Sequence, residues 1–130
     1  MSVDQLRVLV VDDEQELVDA LVERLQLRGI EAEGVTTGSA ALTRLAQEGV
    51  DVVLLDVKMP APGGLDVLRE VSERWPDVAV VLVTGHGSMQ DAETGTRLGA
   101  SEYIMKPFDI DALVGTMLKA ADAKGSQSRG

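Results

Sequence analysis

Acidic, hydroxyl and amino side chains follow the apolar runs of this sequence, each at the position where a run ends. They are Asp12 and Asp13 after the first run, Asp56 and Thr84 after two later runs, and Lys106 after the last. Three carboxylates gathered in one cleft repel one another and raise one another's pKa unless a cation neutralises them. Mg²⁺ takes oxygen ligands and is commonly held by one or two carboxylates together with phosphate oxygens. These residue types predict a magnesium site if the fold brings the ends of the runs together.

A carboxylate can also act as the nucleophile toward a phosphoryl group, provided that the charge on that group is stabilised. Asp56 is the best candidate, because it stands alone after the most central apolar run while Asp12 and Asp13 are paired. The Lys106 ammonium and the Thr84 hydroxyl could each bind a phosphoryl oxygen. Taken singly, each residue is ordinary, since an aspartate after a strand is more often a helix cap. The functional interpretation depends on all five lying at one edge of one sheet.

Strand-like and helix-like segments alternate five times along the chain. Short apolar runs predict strands at 6–11, 30–35, 51–55, 78–83 and 101–105. Apolar residues at three- and four-residue steps predict helices between them, with Ser39 as the expected cap of a second helix ending near residue 48. Right-handed crossovers then give a doubly wound α/β fold, a five-stranded parallel sheet flanked by five helices. Ligands of such sheets bind beyond the carboxyl ends of the strands, where the five candidate residues fall.

The composition favours one domain. The chain has 130 residues, 45% of them hydrophobic, and we expect the domain at 1–124, followed by a disordered tail or the start of a linker at 125–130. The absence of cysteine excludes disulfides, thiolate metal sites and a cysteine nucleophile. The formal net charge is −10 and the basic residues are scattered, so direct contact with nucleic acid is not expected. No targeting or membrane-spanning segment is recognised, and the expected location is the cytoplasm.

Four motifs around the candidate residues resemble the response-regulator receiver domains of two-component signalling, and the resemblance covers nearly the whole chain. The motifs are VLVVDDE at 8–14, LLDVKMP at 54–60, VTGHG at 83–87 and LGASEYIMKPF at 98–108. They are similar to the acidic first motif, the phosphoacceptor loop, the switch-threonine segment and the closing motif of that family. The resemblance implies the flavodoxin-like strand order 2-1-3-4-5.

The resemblance also implies the chemistry. Asp56 would receive a phosphoryl group from a histidine kinase or a histidine phosphotransfer protein, with Mg²⁺ held by Asp12, Asp13, Asp56 and the backbone carbonyl of Lys58. The domain would assist its own phosphorylation and dephosphorylation without being an enzyme for an outside substrate.

Signal output is implied in the same way. Thr84 would move toward the phosphoryl group, and the ring of Tyr103 would rotate into the space that Thr84 leaves. The fourth helix, fifth strand and fifth helix would then contact an output domain or a partner protein, and a phosphorylation-dependent dimer is a further expectation. The family also has a cis bond corresponding to Lys106–Pro107.

Three positions depart from the usual pattern or vary within the family. The Lys58 side chain is less usual there and could alter the rate of dephosphorylation or the pairing with a kinase, a polar residue is more usual at Gly63, and His86 falls at a variable position. A loop histidine in solvent is the simpler interpretation of His86.

Two rival functions remain open at this stage. A magnesium-dependent phosphatase with an aspartyl nucleophile would want a second acid two residues after the nucleophile, where this chain has Lys58. A degenerate receiver-like interaction module would never take phosphate, yet none of the five site residues is missing. The sequence is compatible both with a free-standing receiver and with the input half of a longer regulator, for which the motifs around Thr84 and Lys106 suggest a transcriptional role.

Overall fold

The computed structural model describes residues 2–85 and 89–129. After a short 3₁₀ turn at Val3–Gln5, five strands alternate with five helices. In chain order they are β1 (Arg7–Val11), α1 (Gln15–Leu27), β2 (Glu31–Val35), α2 (Gly38–Leu45), β3 (Val52–Asp56), α3 (Gly64–Arg74), β4 (Ala79–Thr84), α4 (Met89–Arg97), β5 (Glu102–Met105) and α5 (Ile110–Arg129).

All five strands are parallel and follow the order β2-β1-β3-β4-β5, which confirms the expected fold. The β-branched and leucine-rich strands β3 and β4 are buried along their whole length, as expected for a sheet covered on both faces. The more polar β2 lies at one edge, where solvent reaches its glutamates. The carboxyl ends of β1, β3, β4 and β5 therefore meet at one rim of the sheet.

Two apolar clusters, one on each face of the sheet, hold the layers together. Side chains alternate along β3, so that Val52 and Leu54 pack with residues of α1 and α5, while Val53 and Leu55 pack with residues of α2 and α3. Burying one such side chain fully contributes roughly 1.5–3 kcal/mol. The sheet is thus fixed from both sides, and its rim is a rigid platform for the polar residues that follow the strands.

The second helix differs in its bounds from the sequence prediction. α2 begins at Gly38, and its cap is Thr37, whose side-chain oxygen accepts a hydrogen bond from the Ala40 N–H at 3.0 Å. Ser39 lies inside the first turn and not at the cap. A hydroxyl two residues before Ser39 therefore accepts a hydrogen bond from a free N–H of the first turn.

The last helix is long. α5 continues through 125–129, the stretch for which the sequence predicts a disordered end or the start of a linker, and that prediction stays open. The alanines at 120, 121 and 123 favour propagation of the helix, and no proline follows to stop it. The domain boundary at 124 and a linker role stay predictions. Within the described ranges, no helix has both the length and the apolarity needed to cross a membrane.

Candidate functional site

The rim of the sheet brings the three predicted aspartates together. Asp12, Asp13 and Asp56 each offer a carboxylate oxygen, and these oxygens all lie within 4.8 Å of one another. Asp12 and Asp56 are buried at 4% and 8% exposure, whereas Asp13 is exposed. Two of the three negative charges are therefore largely removed from water, which makes their mutual repulsion strong.

Asp12 is held on both sides by hydrogen bonds. One of its oxygens accepts the Glu14 N–H at 3.0 Å, in the turn that leads from β1 into α1. Its other oxygen pairs with the Lys106 ammonium at 3.1 Å, across 94 residues of sequence. Asp12 thereby holds the Lys106 ammonium beside the acidic cluster.

The surroundings of Asp56 disfavour its ionised form. Burial raises the pKa of Asp56 above its ordinary value, and the negative charge of Asp12 raises it further. The Lys106 ammonium and the Lys58 N–H, which donates to Asp56 Oδ1 at 3.3 Å, act in the opposite direction without cancelling the rise. The ionised form of Asp56 is therefore destabilised in the absence of a further cation.

Lys106 is the cation that the described residues supply to this cluster. Burial by itself lowers the pKa of Lys106, but the hydrogen bond to Asp12 and the negative charges of Asp12 and Asp56 outweigh burial, so that the pKa is raised. Lys106 is thus an ammonium at neutral pH. Its peptide bond to Pro107 is cis, as the resemblance implies.

Thr84 ends β4 and is buried at 2% exposure. The register places Val83 opposite Asp56 and Met105 opposite Thr84, so Thr84 stands between the ends of β3 and β5. Its carbonyl accepts the Lys106 N–H at 2.8 Å. Thr84 therefore lies at the same rim as the acidic cluster, on the strand next to that of Asp56.

Tyr103 lies on the outer strand, opposite Leu82 in the register. Because side chains two residues apart share a face, Tyr103 and Thr84 belong to the same face of the sheet. The side chain of Tyr103 is turned outward, with 45% of the residue exposed, and borders a groove of about 410 Å³ along α4. Thr84 is therefore buried, whereas the ring of Tyr103 on the neighbouring strand is exposed.

Two further sequence expectations concern the loops. Lys58 has an exposed side chain, and its N–H reaches Asp56, but a metal contact by its carbonyl stays a prediction. His86 lies outside the described residues.

One feature of the site was missed by the sequence analysis. A groove of about 780 Å³ opens beside Lys106, between the first turns of α1 and the segment after β5. Its apolar lining comes from Leu17, Leu21, Met105, Pro107 and Phe108. Leu17 and Leu21 lie on the apolar face of α1, and the spacing that predicts a helix does not show that one end of this face borders a groove.

The described residues suit a hard divalent cation. Asp12, Asp13 and Asp56 offer three carboxylate oxygens at short separation, and oxygen ligands of this type are those that Mg²⁺ prefers. A single ammonium facing three carboxylates leaves a net negative charge, which a divalent ion would neutralise. Charge balance and donor type therefore both fit the magnesium site predicted from the sequence.

The fold and the site together define a doubly wound α/β domain with an acidic ligand site at the carboxyl ends of its strands. The sequence model of the response regulator receiver domain matches residues 8–118. The chain therefore belongs to the response regulator receiver domains, the signalling domains of two-component systems.

Individual relatives agree with this assignment. The chain is 40% identical over 107 residues to the sensory transduction protein RegX3 of Mycobacterium tuberculosis, covering 82% of this chain and 47% of RegX3. It is 36% identical over 128 residues to the hydrogenase transcriptional regulatory protein HoxA of Cupriavidus necator, covering 98% of this chain and 26% of HoxA. A receiver domain structure from Clostridium thermocellum superposes with a TM-score of 0.88 at 31% identity, covering 94% of this chain and 98% of that one. The chain spans half or less of the curated relatives it matches.

The electrostatics of Asp56 predict that Asp56→Asn stabilises the metal-free protein. The pKa of Asp56 is higher in the folded state than its ordinary value near 3.8, so ionisation of Asp56 lowers the free energy of unfolding as the pH rises from that value through the folded-state pKa. Below the ordinary value Asp56 is protonated in both the folded and the unfolded state, and this cost is absent. The variant should melt above the native protein at pH 7, by about 3–5 °C for each kcal/mol of cost that the substitution removes at this size. The difference should shrink as the pH is lowered toward 4.

Thermal unfolding in the presence of a chelator measures this effect. Glu23→Gln is the matched control, because it removes one negative charge from an exposed position on α1. An Asp56→Asn variant that melts no higher than Glu23→Gln would show that the burial and crowding of Asp56 carry no energetic cost.

Proposed function

We propose that this domain receives a phosphoryl group on Asp56 from a histidine kinase or a histidine phosphotransfer protein, and that Mg²⁺ is required. The observation that carries the proposal is the convergence of Asp12, Asp13 and Asp56 within 4.8 Å, with Lys106 bound to Asp12. A purely structural cluster gains nothing from placing three carboxylates around one ammonium, two of them buried. A site that must bind a divalent cation and a phosphoryl group needs that surplus of negative charge before it is loaded.

The transfer forms one bond and breaks another. A carboxylate oxygen of Asp56 attacks the phosphorus atom, the new O–P bond closes, and the P–N bond of the donor phosphohistidine breaks, leaving a neutral imidazole after protonation. Asp56 must be ionised to attack, and the Lys106 ammonium and Lys58 N–H favour its ionised form. Hydrolysis of the acyl phosphate later restores the carboxylate.

The metal would be held by the side chains of Asp12, Asp13 and Asp56 and by the carbonyl of Lys58. When bound, Mg²⁺ supplies positive charge that offsets the charge of the transferring group. With the metal bound, Lys106 would no longer be needed to neutralise Asp12. Its ammonium is then available to a phosphoryl oxygen, with the Thr84 hydroxyl as a donor to another.

Thr84 also links the site to a distant surface. A hydroxyl drawn toward the phosphoryl group would leave space on the face of the sheet that Thr84 shares with Tyr103, and the exposed ring of Tyr103 would turn into it. Phosphorylation shifts this equilibrium only by as much as it favours one of the two arrangements. Movement of Tyr103 would change the groove along α4 that its ring borders.

Two surfaces would serve two partners. The apolar groove beside Lys106 is next to the acceptor site, so a phosphodonor protein that docks there would present its histidine to Asp56. The surface of α4, β5 and α5 would contact an output domain or partner and could form a phosphorylation-dependent dimer.

The names of relatives such as HoxA support a transcriptional output, and the lack of cysteine fits a cytoplasmic location. Within this scheme the domain acts only on its own aspartate and is not an enzyme for an outside substrate.

Incubation with Mg²⁺ and acetyl phosphate tests the proposal directly. The native chain should gain one phosphoryl group by intact mass, and Asp56→Asn should gain none, because the amide cannot attack. Asp111→Asn is the control, since Asp111 is an exposed aspartate on α5 and should leave uptake unchanged. Chelation of Mg²⁺ should abolish uptake by the native chain.

Equal uptake by the native chain and Asp56→Asn would remove Asp56 as the acceptor. No uptake by the native chain, either from acetyl phosphate or from phosphorylated histidine proteins, would support a degenerate interaction module. Continuous release of phosphate from an outside phosphate ester would instead support the magnesium-dependent phosphatase.

The link between Thr84 and Tyr103 gives a separate prediction. Tyr103 is the sole tyrosine of the chain, so fluorotyrosine labelling gives one ¹⁹F signal. Phosphorylation should shift this signal in the native protein, whereas Thr84→Ala should take up the phosphoryl group and lose most of the shift. Thr96→Ala, which changes a threonine on α4 beside Tyr103, should keep the shift. A full shift in Thr84→Ala would show that Thr84 does not transmit the signal.

A further inference from the structure

The segment 57–63, which we call the acceptor loop, connects Asp56 to α3 and is anchored at the α3 end by a close backbone contact. A Cβ atom on Gly64 would lie 2.2 Å from the Asp56 carbonyl oxygen and 2.7 Å from Val57 Cα. The Gly64 N–H also donates to the Val57 carbonyl at 3.3 Å. The first residue of α3 therefore rests directly on the backbone of the acceptor, and this end of the loop has no room to shift.

The other side of the acceptor loop rests on α2. A Cβ atom on Gly38, the first residue of α2, would lie 2.4 Å from the Pro62 carbonyl oxygen and 2.9 Å from both Pro62 Cγ and Val67 Cγ2. Gly38 has no left-handed backbone conformation that would demand glycine. Glycine is needed here because α2 and the loop approach each other so closely, and the nearest atom is a backbone oxygen that cannot rotate away.

Lys58 lies between these two contacts. Its N–H donates to Asp56 Oδ1, so the position of the loop also orients the acceptor carboxylate. Farther along, Met59 is packed against the apolar cluster on the α2 and α3 face. The loop is fixed at Gly64, Met59 and Pro62. A displacement of Pro62 would therefore also move the backbone around Lys58.

We propose that Gly38 is a positioning residue for the metal site, although it touches neither the metal nor Asp56. By allowing Pro62 to seat on α2, Gly38 sets the place of the Lys58 backbone and, through the Lys58 N–H, the orientation of the Asp56 carboxylate. The inference rests on the proposed function, because it assigns Gly38 a part in the same Mg²⁺ site. It adds an element, the start of α2, that the site residues themselves do not include.

Titration calorimetry with Mg²⁺ alone tests the inference. Gly38→Ala should bind Mg²⁺ roughly tenfold more weakly than the native protein, the lower end of what the loss of supporting contacts costs a metal site. Pro62→Gly, which removes the ring from the other side of the contact, should also weaken binding. Uptake of phosphoryl groups from acetyl phosphate by Gly38→Ala should need a correspondingly higher Mg²⁺ concentration and recover when Mg²⁺ is saturating.

Gly34→Ala is the matched control. A Cβ on Gly34 would lie 2.2 Å from Val18 Cγ1, so this change creates a clash at a similar distance, although with a side chain, between β2 and α1 and away from the acceptor loop. Gly34→Ala should lower the melting temperature but leave Mg²⁺ affinity within about twofold of native, as expected for a change without contact to the supporting loop. A general loss of stability would affect both glycine variants alike.

The outcomes separate the inference from the proposed function. If the native protein binds Mg²⁺ and both Gly38→Ala and Pro62→Gly bind it equally well, the inference is overturned while the proposed function stands. If Gly34→Ala weakens binding as much as Gly38→Ala, the effect is one of stability and the inference is also overturned. A native protein that binds no Mg²⁺ overturns both. Should Gly38→Ala fail to fold, Pro62→Gly decides by the same criterion.

Discussion

Among the residues that the structure describes, two buried carboxylates and one exposed carboxylate share the rim of the sheet, and one ammonium group faces them. This imbalance of charge is the constraint on which the rest of the domain depends. Burial and the charge of Asp12 make the ionised form of Asp56 costly, and Lys106 relieves only part of that cost. The fold must therefore be stable enough to hold the carboxylates together in the absence of a bound cation.

The parallel sheet supplies that stability. Its central strands are apolar throughout and are covered on both faces, so the polar residues are confined to the strand ends. The same geometry bears on the proposed link between Thr84 and Tyr103. Thr84 belongs to a buried strand, whereas Tyr103 lies on the short outer strand with its side chain toward solvent. Under the proposed switch, a change at the rim would therefore meet the packed core on one side and the exposed ring of Tyr103 on the other.

The sequence was sufficient for the strands and for the aspartates, because long apolar runs and the residues that follow them are local signals. Other features depend on contacts that no local pattern records. The pairing of Lys106 with Asp12 spans 94 residues. The cap of α2 at Thr37 and the close approach of Gly38 to Pro62 depend on how two elements meet in space.

The charge imbalance leads to one measurement above all others, the affinity for Mg²⁺ of the native protein and of Lys106→Met. The ammonium and a divalent cation compete for the same carboxylates, so removing the ammonium should leave three uncompensated charges and strengthen Mg²⁺ binding several-fold. Titration calorimetry at low ionic strength should show measurable binding by the native protein and tighter binding by the variant. Equal or weaker binding by Lys106→Met, or no binding by the native protein, would contradict the account.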